Sequence, residues 1–233
     1  MRLKVFIHFI DLPGSMYIAE EIIDKIISSG LINNADFFIY CNYEINNFKW
    51  LESKLGGLPN VKIIDGKSDP RDYELSTLTE LKNYCDTTED EFYVLYLHHK
   101  GGSRFGHSRR YPNIVDWRNY MLYFNVELWK DCVSALQDGY DCAGVEWGET
   151  KRFPKHYSGN FWWATSSYIR KLPKIVAPRD RDYVEQSQFG LKVHYRFDAE
   201  AWIGLADPHA RSLHNSGVDH YRIPYPEHLY KRQ

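Results

Sequence analysis

The chain has 233 residues, with 29 Lys and Arg against 31 Asp and Glu, a formal net charge of −2 at pH 7. That balance gives no global basic field to hold a nucleic acid, so any anion site has to be local. Hydrophobic residues make up 43% and charged residues 26%, an ordinary globular proportion, and no apolar run approaches the roughly 20 residues needed to cross a bilayer.

This length fits one domain with a substantial core. Met1 to Ile10, MRLKVFIHFI, lacks the longer apolar stretch and small-residue cleavage site of a secretory signal, which predicts a cytoplasmic protein. Cys41, Cys85, Cys132 and Cys142 are scattered without C-x-x-C spacing and read as reduced structural thiols. The aromatic fraction, 16%, is concentrated after residue 90. Flat rings suit the faces of sugars and bases, although packing alone accounts for the majority of them.

In chain order, Leu3 to Ile10 predicts a strand and the DLPG after it a turn. Residues 16–30 predict a helix with Ile18, Ile22, Ile23, Ile26 and Ile27 on one stripe and Gly30 at its C-terminal cap. A strand at Asp36 to Cys41, a helix around Asn47 to Leu55, a strand at Val61 to Ile64 and a helix from Tyr73 to Cys85 follow. Phe92 to Leu97 is a buried strand that ends in a polar, glycine-containing loop. The alternation predicts an α/β fold with a mainly parallel central sheet flanked by helices, whose ligands sit beyond the carboxyl ends of the strands. Further on, Asp116 to Leu136 predicts one helix, Tyr140 to Val145 and Ser158 to Ala164 two strands, and Ser166 to Leu172 a helix. Pro173 to Tyr195 has the composition of a lid, with YVEQSQFGL able to form a short helix. Ala199 to Ala206 predicts a helix and RSLHNSG a last strand and turn. No repeat or linker breaks the chain, so a single domain over residues 1–233 is expected.

Four places could carry chemistry. LHHKGG, Leu97 to Gly102, lands at a strand end, where Lys100 can neutralise a phosphate while Gly101 and Gly102 let backbone N–H groups approach it. From His98 to Arg118 five positives, Lys100, Arg104, Arg109, Arg110 and Arg118, face one acid, Asp116. The plain alternative is a solvated basic loop. His98 and His99 are adjacent on a strand and so point to opposite faces, which disfavours a shared metal. In HYSGNFWWA, His156 to Ala164, Ser158 and Gly159 permit close backbone approach, Asn160 can bond hydroxyls, and Trp162 and Trp163 either stack on a sugar or belong to the core. Asp198 and Glu200 in FDAEAWIG, with Glu146 and Trp147 in GVEWG, supply carboxylates for a general base; Asp198 equally suits a helix N-cap. His214, before a glycine turn, reads either as structural or as a ligand for a metal or diphosphate.

Taken together, YLHHKG, DWRNYM and SGNFWWA are similar to segments of glycosyltransferases that build polysaccharides in bacteria and large viruses, including the rhamnan-synthesis group with its His-x-Lys strand end. The order of parts resembles the GT-A fold over nearly the whole chain. That resemblance implies a nucleotide-binding half near residues 1–102 and an acceptor-binding half near 103–233, with a nucleotide-diphosphate sugar as donor, UDP-sugar favoured. Phe9 and Asp11, within Val5 to Ser15, would contact the nucleoside. His98, His99 and Lys100 would stand where the fold carries an Asp-x-Asp metal motif, with Gly101, Arg104 and Arg118 around the diphosphate. No aspartate stands there, so Lys100 would neutralise the diphosphate directly, and His214 would bind a divalent metal, Mn or Mg, or phosphate. Glu200 or else Asp198 would activate a hydroxyl of a glycan or glycolipid acceptor, with inversion. Glu146, Trp147, His156, Ser158, Gly159, Asn160, Trp162 and Trp163 would line the acceptor side, and residues 173–195 would order over the donor. The alternative is a non-catalytic carbohydrate-binding domain on this fold. A nucleotidyltransferase would need paired acidic metal ligands or a glycine-rich phosphate loop, and the sequence has neither.

Overall fold

Strand β1 (Arg2–Ile10) is buried from Leu3 to Ile10 and lies inside the sheet, which is why its sequence is an unbroken apolar run rather than a polar alternation. It pairs in parallel with β2 (Asp36–Asn42) on one side and β4 (Phe92–His98) on the other, and β3 (Val61–Asp65) extends the sheet beyond β2. The computed structural model describes residues 1–12, 14–67, 69–106, 109–149, 153–178 and 185–231. In the second half come β5 (Cys142–Gly144), a small hairpin of β6 (Trp147–Gly148) and β7 (His156–Tyr157), then β8 (Trp162–Thr165) and β9 (Ala210–Ser212). The seven-stranded order is β3-β2-β1-β4-β8-β5-β9, with β8 antiparallel to both neighbours and the other pairs parallel. The protein is therefore mixed α/β with a mostly parallel central sheet, as expected.

Side chains alternating along the strands feed two cores. Val5, Ile7, Phe9 and Trp163 pack under α1 (Ser15–Ser28), α4 (Tyr111–Leu122) and α5 (Trp129–Gln137). Phe6, Val94, Tyr96 and Trp162 pack under α3 (Leu75–Thr87), α6 (Ser166–Lys171) and α7 (Asp198–Ala201), while α2 (Trp50–Leu55) buries Leu51 and Leu55 on the first side. The chain steps outward from β1 to β3 and then returns across β1 to β4. That reversal sets the topological switch point between β1 and β4, and open α/β sheets bind ligands beyond the carboxyl ends of the strands at such a point.

Several local expectations are corrected. Ile18, Ile22, Ile23 and Ile26 are buried in α1, but Ile27 is 40% exposed and lies off the stripe. Gly30 does adopt the left-handed conformation past the helix end, at φ 72°. The single helix expected over 116–136 is two helices joined by a π turn at Tyr123–Glu127, closed by Leu128 N–H donating to the Tyr123 carbonyl at 2.8 Å. The strand expected from Ser158 begins only at Trp162, because Gly159 (φ 93°) and Asn160 (φ 63°) form a left-handed turn. A Cβ on Gly159 would sit 2.4 Å from Met121 Sδ, so the glycine is required by the close approach of α4. The expected helix over 199–206 is α7 followed by a 3-10 turn at Trp202–Gly204, and Asp198 is its first residue rather than its N-cap. The lid and helix expected within 173–195 fall in part on 179–184, outside the described residues; Glu185 to Leu191 is not helical, and Gln186 instead bridges to His194. All four cysteines are buried and free. Among the described residues no helix is long and apolar enough to cross a membrane.

Candidate functional site

The carboxyl edge of the sheet gathers a compact polar cluster from four segments. Glu74 stands at the N-terminus of α3, His98 ends β4, Lys100 follows it, Asn160 sits in the turn before β8, and Glu200 lies on α7. Glu74 Oε2 accepts from Asn160 Nδ2 at 2.6 Å and from the Tyr96 hydroxyl at 3.4 Å, and Oε1 lies 3.2 Å from His98 Nδ1. His98 Nε2 donates to the Gly159 carbonyl at 3.0 Å. Lys100 Nζ lies 4.0 Å from Glu200 Oε1 and 4.2 Å from the centre of the Trp117 ring, a cation–π contact. Side chains here keep a window to solvent, 19% for Glu74, 16% for Lys100 and 27% for Glu200.

Electrostatics separate the members of the cluster. Burial, reinforced by the neighbouring Glu200 charge, raises the Glu74 carboxyl to about 7. Burial and then Lys100 push His98 down to about 3, and burial with His98 and Arg118 pushes His99 down to about 3. Near neutral pH both rings are therefore uncharged, and Lys100 is the cation of the cluster. Two carboxyl groups, one of which holds its proton close to pH 7, beside a lysine and partly open to solvent, form an arrangement suited to acid–base chemistry on a bound anion.

The other expected site residues divide sharply. Phe9 is fully buried and stacks on Phe48 with ring centres 6.0 Å apart, so it is core and offers no face to a nucleoside. Asp11 lines a cleft of about 310 Å³ with Leu12, Gly14, Ser15, Met16, Tyr17, Asn47 and Phe48, and it accepts from Asn47 Nδ2 at 2.7 Å. His99 is buried and turned away from the Glu74 cluster; its Nδ1 accepts from Ile10 N–H at 3.2 Å, tying β4 to β1. Gly101 adopts φ 100° in the loop beside Lys100, a conformation natural to glycine. Arg118 is not a free phosphate ligand, because its guanidinium is buried against Glu21 Oε2 at 2.6 and 3.0 Å and donates to the Lys100 carbonyl at 2.9 Å. It positions the Lys100 loop. Arg104 is exposed in the following 3-10 turn.

On the acceptor side, Trp162 and Trp163 have no exposed surface and belong to opposite cores, so neither can stack on a sugar. Trp162 Nε1 donates to Asn160 Oδ1 at 2.8 Å, and Trp163 Nε1 to the Asn125 carbonyl at 2.9 Å. Trp163→Ala is expected to cost about 3–5 kcal/mol of folding stability by denaturant titration, as for other fully buried large aromatics; a loss under about 1 kcal/mol would contradict this core assignment. His156 is buried with Nδ1 donating to the Pro154 carbonyl at 2.9 Å. Trp147 packs on Tyr157 with ring centres 4.7 Å apart, and Ser158 N–H donates to the Glu146 carbonyl. Asp198 is buried and accepts from Gln188 N–H at 2.9 Å, which ties the Ser187–Phe189 turn to α7 and leaves Glu200 as the accessible carboxylate.

Glu146 and His214 form a second cluster. Against the cost of burial, hydrogen bonds from His220, the Ser216 backbone and Tyr120 hold the Glu146 carboxyl down to about 2. The Tyr120 hydroxyl donates to Glu146 Oε1 at 2.8 Å and lies 2.9 Å from His214 Nδ1, while the His214 ring stacks on Phe124. This knot fastens the C-terminal segment to α4. Among the described residues no three His, Cys, Asp or Glu side chains are arranged to hold a metal ion. A second groove, about 420 Å³ beside α5, is lined by neither Glu74, His98, Lys100 and Glu200 nor Glu146 and His214.

Glu74 and Trp117 are site members that the sequence reading passed over. Glu74 hides in a polar helix-forming run, and the available signal was its place just after β3, at the carboxyl edge. Residues 46–211, more than two thirds of the chain, match a domain family described as a domain of unknown function, DUF8361. The chain belongs to this family. None of the curated proteins matches it. The matched span of the family carries Glu74, His98, Lys100, Trp117, Asn160 and Glu200 and so includes the whole carboxyl-edge cluster.

Proposed function

We propose that this chain is a glycosyltransferase on a GT-A-like fold that moves a sugar from a nucleotide-diphosphate donor, UDP-sugar favoured, to a hydroxyl of a glycan or glycolipid. The observation that carries the reading is the Lys100–Glu200 pair, a cation and a carboxylate 4.0 Å apart at the carboxyl end of β4. On this reading the nucleoside occupies the cleft bordered by Asp11 and Tyr17, and its diphosphate reaches toward Lys100. Glu200 takes the proton of the acceptor hydroxyl as that oxygen attacks the anomeric carbon. The bond from that carbon to the donor phosphate oxygen breaks, and Lys100 stabilises the negative charge that the leaving diphosphate gains. A single displacement of this kind inverts the anomeric centre.

The sheet order supports this assignment. A parallel block of β3, β2, β1 and β4 precedes the reversed strand β8, so a nucleotide half and an acceptor half would meet at the end of β4. A non-catalytic carbohydrate-binding domain is less well supported, since the aromatic pair expected to offer it a platform is buried. The deciding experiment is a thermal-shift panel of UDP, GDP, CDP and dTDP, each with EDTA and with manganese. A ligand bound only by the native state at about 100 times its Kd adds about 2.7 kcal/mol of stability, which is readily measured. One nucleotide that stabilises the protein in EDTA supports the Lys100 mechanism, and a shift that needs manganese calls for a metal-assisted one. No shift with any of the four rejects the donor.

A further inference from the structure

Glu74 and His98 share one proton, and the hydrogen bonds say where it lies. The Gly159 carbonyl can only accept, so His98 Nε2, 3.0 Å away, carries a hydrogen. The ring is buried beside Lys100, which disfavours a second ring proton, so Nδ1 is a lone pair facing Glu74 Oε1 at 3.2 Å. An ionised carboxyl would set two lone pairs against each other there, whereas a carboxylic acid donates from Oε1. The other oxygen is surrounded by donors. Asn160 Nδ2 is fixed toward it because Asn160 Oδ1 accepts from the Trp162 indole, a group that only donates, and the Tyr96 hydroxyl points to the same oxygen. Although Glu74 occupies the N-cap of α3, its side chain caps no backbone N–H. The contact with His98 is therefore that of a neutral acid, whereas the donors on Oε2 serve a carboxylate equally well, so the carboxyl can give up its proton without losing them.

The charged groups facing this carboxyl are Lys100 and Glu200, which compensate each other, while Tyr96, His98 and Asn160 bring no charge. We propose that Glu74 controls whether an anion can enter beside Lys100: as a neutral acid held by His98 and Asn160 it leaves the charge around Lys100 balanced, and as a carboxylate it repels the ligand. This rests on the reading that a diphosphate binds there. The sign follows from the geometry. Raising the pH strips the proton from Glu74, adds one negative charge to a partly buried cluster and weakens anion binding.

The test uses the full chain and two measurements. Carbon-13 NMR of the glutamate carboxyls in ligand-free protein follows the titration of Glu74 without any variant. Calorimetry with inorganic pyrophosphate compares wild type with Glu74→Gln at about pH 6 and about pH 8.5, and the ratio of the two affinities cancels the ligand's own protonation. One glutamate carboxyl is expected to titrate near neutrality, with wild type matching the variant at the lower pH and binding about 10-fold more weakly at the higher. All glutamates ionising below about pH 5.5, or an affinity ratio that does not change with pH, would overturn the role of Glu74 and leave the anion site standing. Pyrophosphate binding at neither pH would overturn the anion site and this role together. If the variant does not fold, the NMR titration of wild type still decides the protonation on which the proposal depends.

Discussion

Lys100→Ala is expected to lower turnover by about two to three orders of magnitude, the usual cost of removing one preorganised charge partner of a leaving group. The fold should survive. The lysine is anchored by its backbone carbonyl through Arg118, and its ammonium lies over the Trp117 face beside Glu200 rather than in either core. Melting temperature should therefore stay within a few degrees of wild type while the affinity for nucleoside diphosphate falls with the rate. Lys100→Arg should restore only part of the loss, since a planar fork does not reproduce a compact ammonium between a ring and a carboxylate. Initial rates and diphosphate affinity measured side by side check this, and an unchanged rate removes Lys100 from the site.

Glu200→Gln is expected to lower transfer by about two to four orders of magnitude, the range for loss of a positioned general base. Donor affinity should be preserved or increase, because Lys100 loses the carboxylate that competes for it at 4.0 Å. The split between the two effects separates chemistry from binding. If transfer stays within about tenfold of wild type, the base lies elsewhere. Asp198 is buried against Gln188 and Glu146 is committed to Tyr120 and Ser216, so Glu74 becomes the next carboxyl to examine.

What the sequence disclosed followed from periodicity and position. The apolar runs of β1, β2 and β4 are visible because buried parallel strands need no polar alternation, and the loop after β4 is visible because glycines and charges follow such a run. Lys100 was legible for that reason, and Glu200 as a carboxylate at the start of the helix predicted in FDAEAWIG. Side-chain commitment was not. Arg118 and Asp198 look like free charges in a sequence, and only the fold brings Glu21 and Gln188 against them. Trp162 and Trp163 could be a sugar platform or core on composition alone, and the insertion of β8 between β4 and β5, with both faces covered, makes them core. Glu74 was missed because its carboxyl is raised first by burial and then by Glu200, 126 positions later by the numbering of the chain, and no local pattern records either.

The π turn at Tyr123–Glu127 bears on how this chain tolerates changes of length. A wide turn holds one residue more than regular α-helix over the same span, so α4 and α5 keep their facing as if that residue were not counted. Its widened backbone leaves the Asn125 carbonyl to receive the indole hydrogen of Trp163 in the core. Deleting one residue within 123–127 would let a continuous helix form without rotating either flank, but the indole would lose its acceptor. Such a deletion is therefore expected to cost less stability in a Trp163→Phe background than in the wild-type chain, by about the 1–3 kcal/mol of an unsatisfied buried donor.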